Sequence, residues 1–227
     1  MLNIKQWFSP KEKQEEIPTF IIPQELKIKP SDRICILTPH ANDETVGCFG
    51  ILNKYGSQCD VILLTDGTQR GKGSKPEDIQ YQREAEFEEV MQYFDVHFYQ
   101  FVRAQDGNLI NNYRLFQKLD LSGYDYVFMP HRNDGYPDHA AVSIFFEQYR
   151  QEHPEVKALP IYYEVWGTMS MPTHYIDISD AVEKKQEAIG LYVSQEKFAY
   201  ASHILGLNHY RGMHNHINYV EAFTMGE

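Results

Sequence analysis

One repeated pairing limits what this chain can fold into. A short, wholly apolar run ends at a polar cluster, and a helix-patterned segment follows. Arg33-Ile34-Cys35-Ile36-Leu37 is ended by Pro39, and residues 44–55 then read as a helix. Asp60-Val61-Ile62-Leu63-Leu64-Thr65 is stopped by Asp66-Gly67. A Gly- and Lys-rich loop over 69–75 leads into a charged amphipathic helix over 77–94, with Ile79, Phe87, Val90, Met91 and Phe94 as its core side. Residues 97–101 read as a third strand, and Tyr126-Val127-Phe128-Met129, ended by Pro130, as a fourth. A helix over 138–150, a strand over 160–166 and a helix over 180–193 close the regular part. Strands that are apolar throughout are buried on both faces, which happens in parallel sheets covered by helices. The alternation predicts βαβ units: an α/β, Rossmann-like, mainly parallel sheet with helices on both faces. The 227 residues are enough for one domain over 32–227. Ahead of it, residues 1–31 hold Pro10, Pro18, Pro23 and Pro30 and read as an extended arm, packed through Phe20-Ile21-Ile22.

In such sheets ligands bind beyond the carboxyl ends of the strands. Polar clusters stand at three of those ends: Pro39-His40-Ala41-Asn42-Asp43-Glu44-Thr45, Thr65-Asp66-Gly67, and Pro130-His131-Arg132-Asn133-Asp134-Gly135-Tyr136-Pro137-Asp138-His139. A histidine and a carboxylate three residues apart on a tight turn can converge on one point. A second histidine at another helix start can complete a three-ligand set with one open position, the arrangement of a catalytic zinc. Spacing alone leaves a second reading open, with Asp43 and Asp138 as helix caps and the histidines as ordinary loop residues.

The order of these segments is similar to that of the LmbE-like or PIG-L-like N-acetylglucosamine deacetylases, from about Arg33 to Phe223. That family opens with (A/P)-H-P-D-D-E, which stands here as Pro39-His40-Ala41-Asn42-Asp43-Glu44. Thr65-Asp66-Gly67, Arg83-Glu84-Ala85-Glu86, Asp106-Gly107 and Asp134-Gly135-Tyr136-Pro137-Asp138-His139 follow in family order. Tyr163-Glu164-Val165-Trp166, Asp177-Ile178-Ser179, Lys184 or Lys185, Tyr192-Val193-Ser194-Gln195 and Glu221-Ala222-Phe223 complete the set. The resemblance implies Zn2+, or another divalent transition metal, on His40, Asp43 and His139. It implies zinc-bound water attacking the amide carbonyl of an N-acetylated, GlcNAc-type amino sugar, on a polysaccharide or glycoconjugate precursor. Arg83 and Asp106 fall where members contact the sugar. The resemblance leaves a homo-oligomer open.

Two departures bear on mechanism. The family's general base is an aspartate where this chain has Asn42, and an amide does not take a proton from water at neutral pH. The family's oxyanion histidine is Tyr136 here, which can donate one hydrogen bond but carries no charge. Three outcomes follow: Asp134, Asp138 or Glu44 takes over as base; the metal hydroxide acts with weak help; or the chain binds a sugar without hydrolysing it. Asn42, Tyr136 and Asp138 are therefore the catalytic candidates.

Other features read more plainly. The histidines His203, His209, His214 and His216 lack a carboxylate or cysteine at ligand spacing and read as solvated. Tyr162-Tyr163 and Phe145-Phe146 read as core, while Trp166 follows a strand end and has a claim to line the cleft. The loop holding Lys72 and Lys75 lacks phosphate-loop spacing, and no G-x-G-x-x-G follows the first strand. Twenty-one basic against 32 acidic residues give a net charge of −11, which disfavours nucleic acid. No apolar run approaches the ~20 residues of a membrane helix, and MLNIKQWFSPKEKQEE lacks a secretory apolar stretch. Cys35, Cys48 and Cys59 are odd in number without CxxC, as expected of buried free thiols in a reducing, cytoplasmic setting.

Overall fold

The computed structural model describes residues 21–70 and 74–226. Its strands and helices are β1 (Gln24–Glu25), β2 (Ile34–Thr38), α1 (Asp43–Tyr55), β3 (Cys59–Thr65), α2 (Pro76–Tyr93), β4 (Phe98–Ala104), α3 (Tyr113–Phe116), β5 (Tyr126–Pro130), α4 (Pro137–Glu152), β6 (Leu159–Tyr163), β7 (His174–Asp177), α5 (Val182–Gly190), α6 (Tyr200–Gly212) and β8 (Val220–Met225). The eight strands form one sheet in the order β1-β7-β8-β6-β5-β2-β3-β4. Every pairing is parallel except those of β8, which runs antiparallel to β6 and β7. The expected mainly parallel α/β sheet is what forms.

The apolar runs explain the layering. Along β2, Ile34 and Ile36 join one core with α1, α2 and α5, while Cys35 and Leu37 join the other with α3 and α4. Each face of a strand takes alternate side chains, so a run apolar at every position needs helices on both sides. Complete burial of each Ile or Leu contributes about 1.5–3 kcal/mol. β4 at the sheet edge is the exception, with Phe98 half exposed and Ala104 buried.

Two expectations are corrected. Regular structure does not close with the helix ending near 193, because α6 and β8 follow. The added strand β8 reverses direction and inserts between β6 and β7, a pairing that local apolar pattern does not reveal. Residues 21–31 of the arm pack through other side chains than those expected. Ile21 and Ile22 are exposed, and Leu26 and Ile28 enter the core behind the two-residue strand β1; Phe20 lies outside the described residues. No described helix is long and apolar enough to cross a membrane.

Helix α1 is broken at Cys48, where φ is −131° and ψ 22°. The break is spliced by a fully buried ion pair. Glu221 on β8 accepts from the Phe49 and Gly50 amides at 3.0 and 2.7 Å, which the break frees from the helix ladder. Lys185 Nζ donates to Glu221 Oε1 at 2.7 Å, to the Val46 carbonyl at 2.9 Å and to Asn208 Oδ1 at 2.9 Å. Every polar group of the pair thereby finds a partner, the condition for burying two charges. The first turns of α1 pass so close to β6 that a Cβ on Gly47 would stand 2.3 Å from the Tyr163 ring.

Candidate metal centre

β2 pairs with β3 on one side and β5 on the other, so the chain leaves β2 and β5 in a crevice where strand order reverses. The segments after these two strands carry the predicted donors. Four residues separate β2 from α1, and Asn42 turns the chain with φ 109°, a conformation tolerated best by Gly, Asn and Asp. Asp43 is then the first residue of α1, and its Oδ2 accepts the His40 amide at 2.9 Å. His139 lies in the first turn of α4.

These three side chains converge. His40 Nδ1 lies 3.2 Å from Asp43 Oδ2 and 3.2 Å from His139 Nε2, and His139 Nε2 lies 3.1 Å from Asp43 Oδ2. The donor atoms form a nearly equilateral triangle. A tetrahedral zinc at about 2.0 Å from each donor needs edges of about 3.3 Å, so the residues fit the ion. Two imidazole nitrogens and a carboxylate oxygen facing one another also have too few protons to satisfy every contact.

Burial works to raise the Asp43 pKa, but His139 and His40 hold its carboxyl well below the usual range. Burial works to lower both imidazoles. Asp106, Asp138 and Asp43 nevertheless push His40 well above its ordinary value, and Asp43 and Asp134 raise His139.

Carboxylates stand behind each imidazole. His40 Nε2 lies 3.1 Å from Asp106 Oδ1 and 3.3 Å from Asp138 Oδ2. The buried His139 Nδ1 lies 3.2 Å from Asp134 Oδ1, without the alignment of a full hydrogen bond. Such partners set the tautomer that presents the other nitrogen to a metal. They are themselves pinned: Asp138 accepts the Gly107 and Leu109 amides at 2.7 and 3.0 Å, and Asp134 accepts the Trp166 and Gly167 amides at 2.9 Å.

A narrow polar cleft opens onto the triangle, lined by His40, Asn42, Asp43, Arg83, Asp106, Tyr136 and Gln195, with Trp166 and Tyr200 at its edge. Six of the eight positions nominated from sequence therefore meet in one place. His139 is wholly buried beneath it. Asp138 is not among the lining residues. The same holds for Asp134 and Glu44; Glu44 is enclosed by Tyr192, Thr45, Thr38 and the Asn42 amide. Tyr136 sets its ring 5.2 Å from His40 and 5.3 Å from His139, steeply inclined to both. Arg83 is 7% exposed and lies against Gly67, whose φ of +66° and lack of a Cβ admit the Arg83 Cδ.

Sequence reasoning missed what Gln195 does. Asn42 Nδ2 donates to Gln195 Oε1 at 2.9 Å, and Gln195 Nε2 donates to the Ala41 carbonyl at 2.6 Å. Gln195 was visible only as the last letter of a motif, with no chemistry attached. Trp166 does line the cleft, Tyr163, Phe145 and Phe146 are core, and Tyr162 is only partly buried against the core's edge.

The sequence matches the family described as PIG-L, GlcNAc-PI de-N-acetylase, over residues 35–149, just over half of the chain. The chain belongs to the PIG-L family. All three donors lie within the matched stretch. Among solved structures the fold is similar to N,N'-diacetylchitobiose deacetylase from Pyrococcus horikoshii, at a TM-score of 0.74 and 18% identity over 86% of this chain and 84% of that one. It is also similar to the zinc-inhibited form of the teicoplanin deacetylase Orf2, at 0.66 and 13% over 85% of this chain and 97% of that one. A third, 4-carboxy-2-hydroxymuconate hydratase from Pseudomonas putida KT2440, matches at 0.64 and 15% over 86% of this chain and 96% of that one. At these identities the likeness is one of fold, and the hydratase is named for a different reaction, so function in this PIG-L member has to be argued from its own site.

Proposed function

We propose that this PIG-L family member is a metal-dependent hydrolase that removes the N-acetyl group from an N-acetylated, GlcNAc-type amino sugar of a polysaccharide or glycoconjugate precursor. The observation that carries this reading is the donor triangle of His40, Asp43 and His139, with the first two lining the cleft. Zinc bound there would polarise the amide carbonyl and bring the pKa of water towards about 7; other divalent transition metals also suit two imidazoles and a carboxylate.

The chain's own residues divide the remaining work. Arg83 donates to sugar hydroxyls and Asp106 accepts from them. The Tyr136 phenol donates to the oxyanion that develops on the carbonyl. Asp134, Asp106 and Asp138 hold the imidazoles in one tautomer. Proton removal is the weak point. Asn42 is an amide bonded to Gln195, and besides Asp43 the cleft's carboxylate is Asp106. Burial works to raise the Asp106 pKa, yet His40 holds it below its ordinary value, which makes it a poor base.

That observation supports a second reading, a weak or inactive member that binds a sugar. Zinc-loaded protein is incubated with a panel of N-acetylated amino sugars, and free amine and acetate are measured. Release supports hydrolysis, and its absence across the panel overturns it. Asn42→Asp then separates the two readings. A rate gain of about 10²–10⁴ is expected if a positioned base is what the site lacks. An already active parent that is slowed by the change rules out the second reading. The three buried, unpaired cysteines support a reducing, cytoplasmic setting.

A further inference from the structure

Beside the polar cleft lies a space of another kind. It measures about 280 Å³ and runs between α1, the segment after β6 and α6. Val46, Val165, Ile204 and Leu207 supply its apolar walls, and it shares Asn42, Asp43, Trp166 and Tyr200 with the polar cleft. The two spaces therefore meet at Asp43, one corner of the donor triangle, and Thr168 and His203 complete the lining of the larger one. Trp166 and Tyr200 stand between them with ring centroids 5.7 Å apart and planes at 71°.

The apolar walls are held from behind. Arg211 on α6 donates to both oxygens of Glu164 and to the Met169 carbonyl, tying α6 to the segment that carries Val165 and Trp166. Lys185 ties Val46 on α1 to Asn208 on α6. A chamber so braced is formed before any ligand arrives, which spares the cost of ordering it on binding.

An amide places two substituents on opposite sides of its C–N bond. The amine side is a sugar, whose hydroxyls match Arg83 and Asp106 in the polar cleft. The acyl side begins on the carbonyl carbon itself, so it must leave the triangle directly, and the space that opens there on Asn42 and Asp43 is apolar. A methyl group would leave most of it unused, since a cavity of about 150 Å³ with such walls already admits benzene. We propose that this chamber receives an apolar acyl chain, so that the preferred amides are amino sugars N-acylated with a group longer than acetyl. The proposal rests on the amide-hydrolase reading of the site and specifies the group removed. Water gives its OH to the acyl carbon and its H to nitrogen; the C–N bond breaks, leaving a carboxylic acid and a free amine.

Calorimetric titration of the zinc-loaded protein with N-acetyl-, N-butanoyl- and N-hexanoyl-glucosamine tests this. Affinity should rise about fourfold per methylene buried, making the N-hexanoyl compound at least tenfold tighter than the N-acetyl one. Ile204→Trp and Leu207→Trp, which fill the chamber, should each flatten that ratio. A flat series in the parent overturns the proposal, as does a rising series that both variants retain. Hexyl N-acetylglucosaminide, with its alkyl group on the anomeric oxygen, is the control. If it gains and the N-hexanoyl compound does not, the chamber serves the aglycone and the proposal fails. Free amine is assayed on the same compounds. A rising, variant-sensitive series without amine release retains the chamber assignment and sinks the hydrolase reading instead.

Discussion

The two ends of the central strands bury a carboxylate in opposite ways. At the amino end, Asp60 on β3 is 5% exposed and complete in itself. His97 Nδ1 meets one oxygen at 2.7 Å, while the Tyr124 hydroxyl and Arg33 meet the other at 2.7 and 3.3 Å. At the carboxyl end, Asp43 is 2% exposed and faces two imidazole nitrogens that are acceptors unless protonated. The first arrangement brings its own donors, as buried charges ordinarily do. The second has its electron pairs aimed at one point and is balanced by a cation, whether protons or a metal. The same residue type at the same depth is satisfied by the protein where donors surround it and is suited to hold a cation where acceptors do.

The largest effect is expected from removing one corner of the triangle. His139→Ala should reduce bound zinc from one equivalent to background, measured by elemental analysis after dialysis, and abolish any amide hydrolysis. Retention of stoichiometric zinc would disprove the three-donor site. Next in size is Asp134→Asn, which leaves the corners in place and weakens the carboxylate behind His139. Zinc affinity should drop about 10–100-fold in chelator competition; an unchanged constant would mean that Asp134 only holds the loop.

Acidity gives a third, smaller handle. Burial disfavours the charged form of His40, yet Asp106, Asp138 and Asp43 keep its pKa well above the ordinary value. The raised pKa favours a second proton on the ring, and a metal bound at Nδ1 would displace it. Affinity should rise with pH until that pKa is passed, by about tenfold per unit for each proton released. Titration in two buffers of different ionisation enthalpy reads the proton count, and a count of zero at pH 7 contradicts the scheme. The smallest effect belongs to the opposite end. Asp60→Asn should cost about 1–2 kcal/mol of stability, because two of its three partners are largely exposed. Denaturant melts would show this, with zinc affinity unchanged; a parallel loss of zinc would mean that the two ends are coupled.

Much of this contrast was legible in the sequence. β2, β3 and β5 were readable because strands buried on both faces are apolar at nearly every position, with polar residues only near their ends, and the donors were readable because they follow such strands within a few residues. His40, Asn42, Asp43, Arg83, Asp106 and Tyr136 all reach the cleft. What escaped were the contacts between distant segments. β7 has only four residues and both it and β8 carry polar side chains, so their pairing depends on partners far along the chain. Gln195, Arg211 and the apolar face of α6 carry no local signature, since a helix with Ile204 and Leu207 reads equally well as core. Asp138 was one of three carboxylates offered as a replacement base; its oxygens meet the Gly107 and Leu109 amides and His40 Nε2.

The broken helix α1 has a consequence for how the protein is assembled. Its first turns, which carry Asp43, are joined to the rest through Glu221 on β8 and Lys185 on α5. All three donors are translated before either of these arrives. A nascent or shortened chain that ends before β8 would thus possess His40, Asp43 and His139 without this brace on α1, so any tight capture of a metal by the three would come late, as a report that the C-terminal strand has docked.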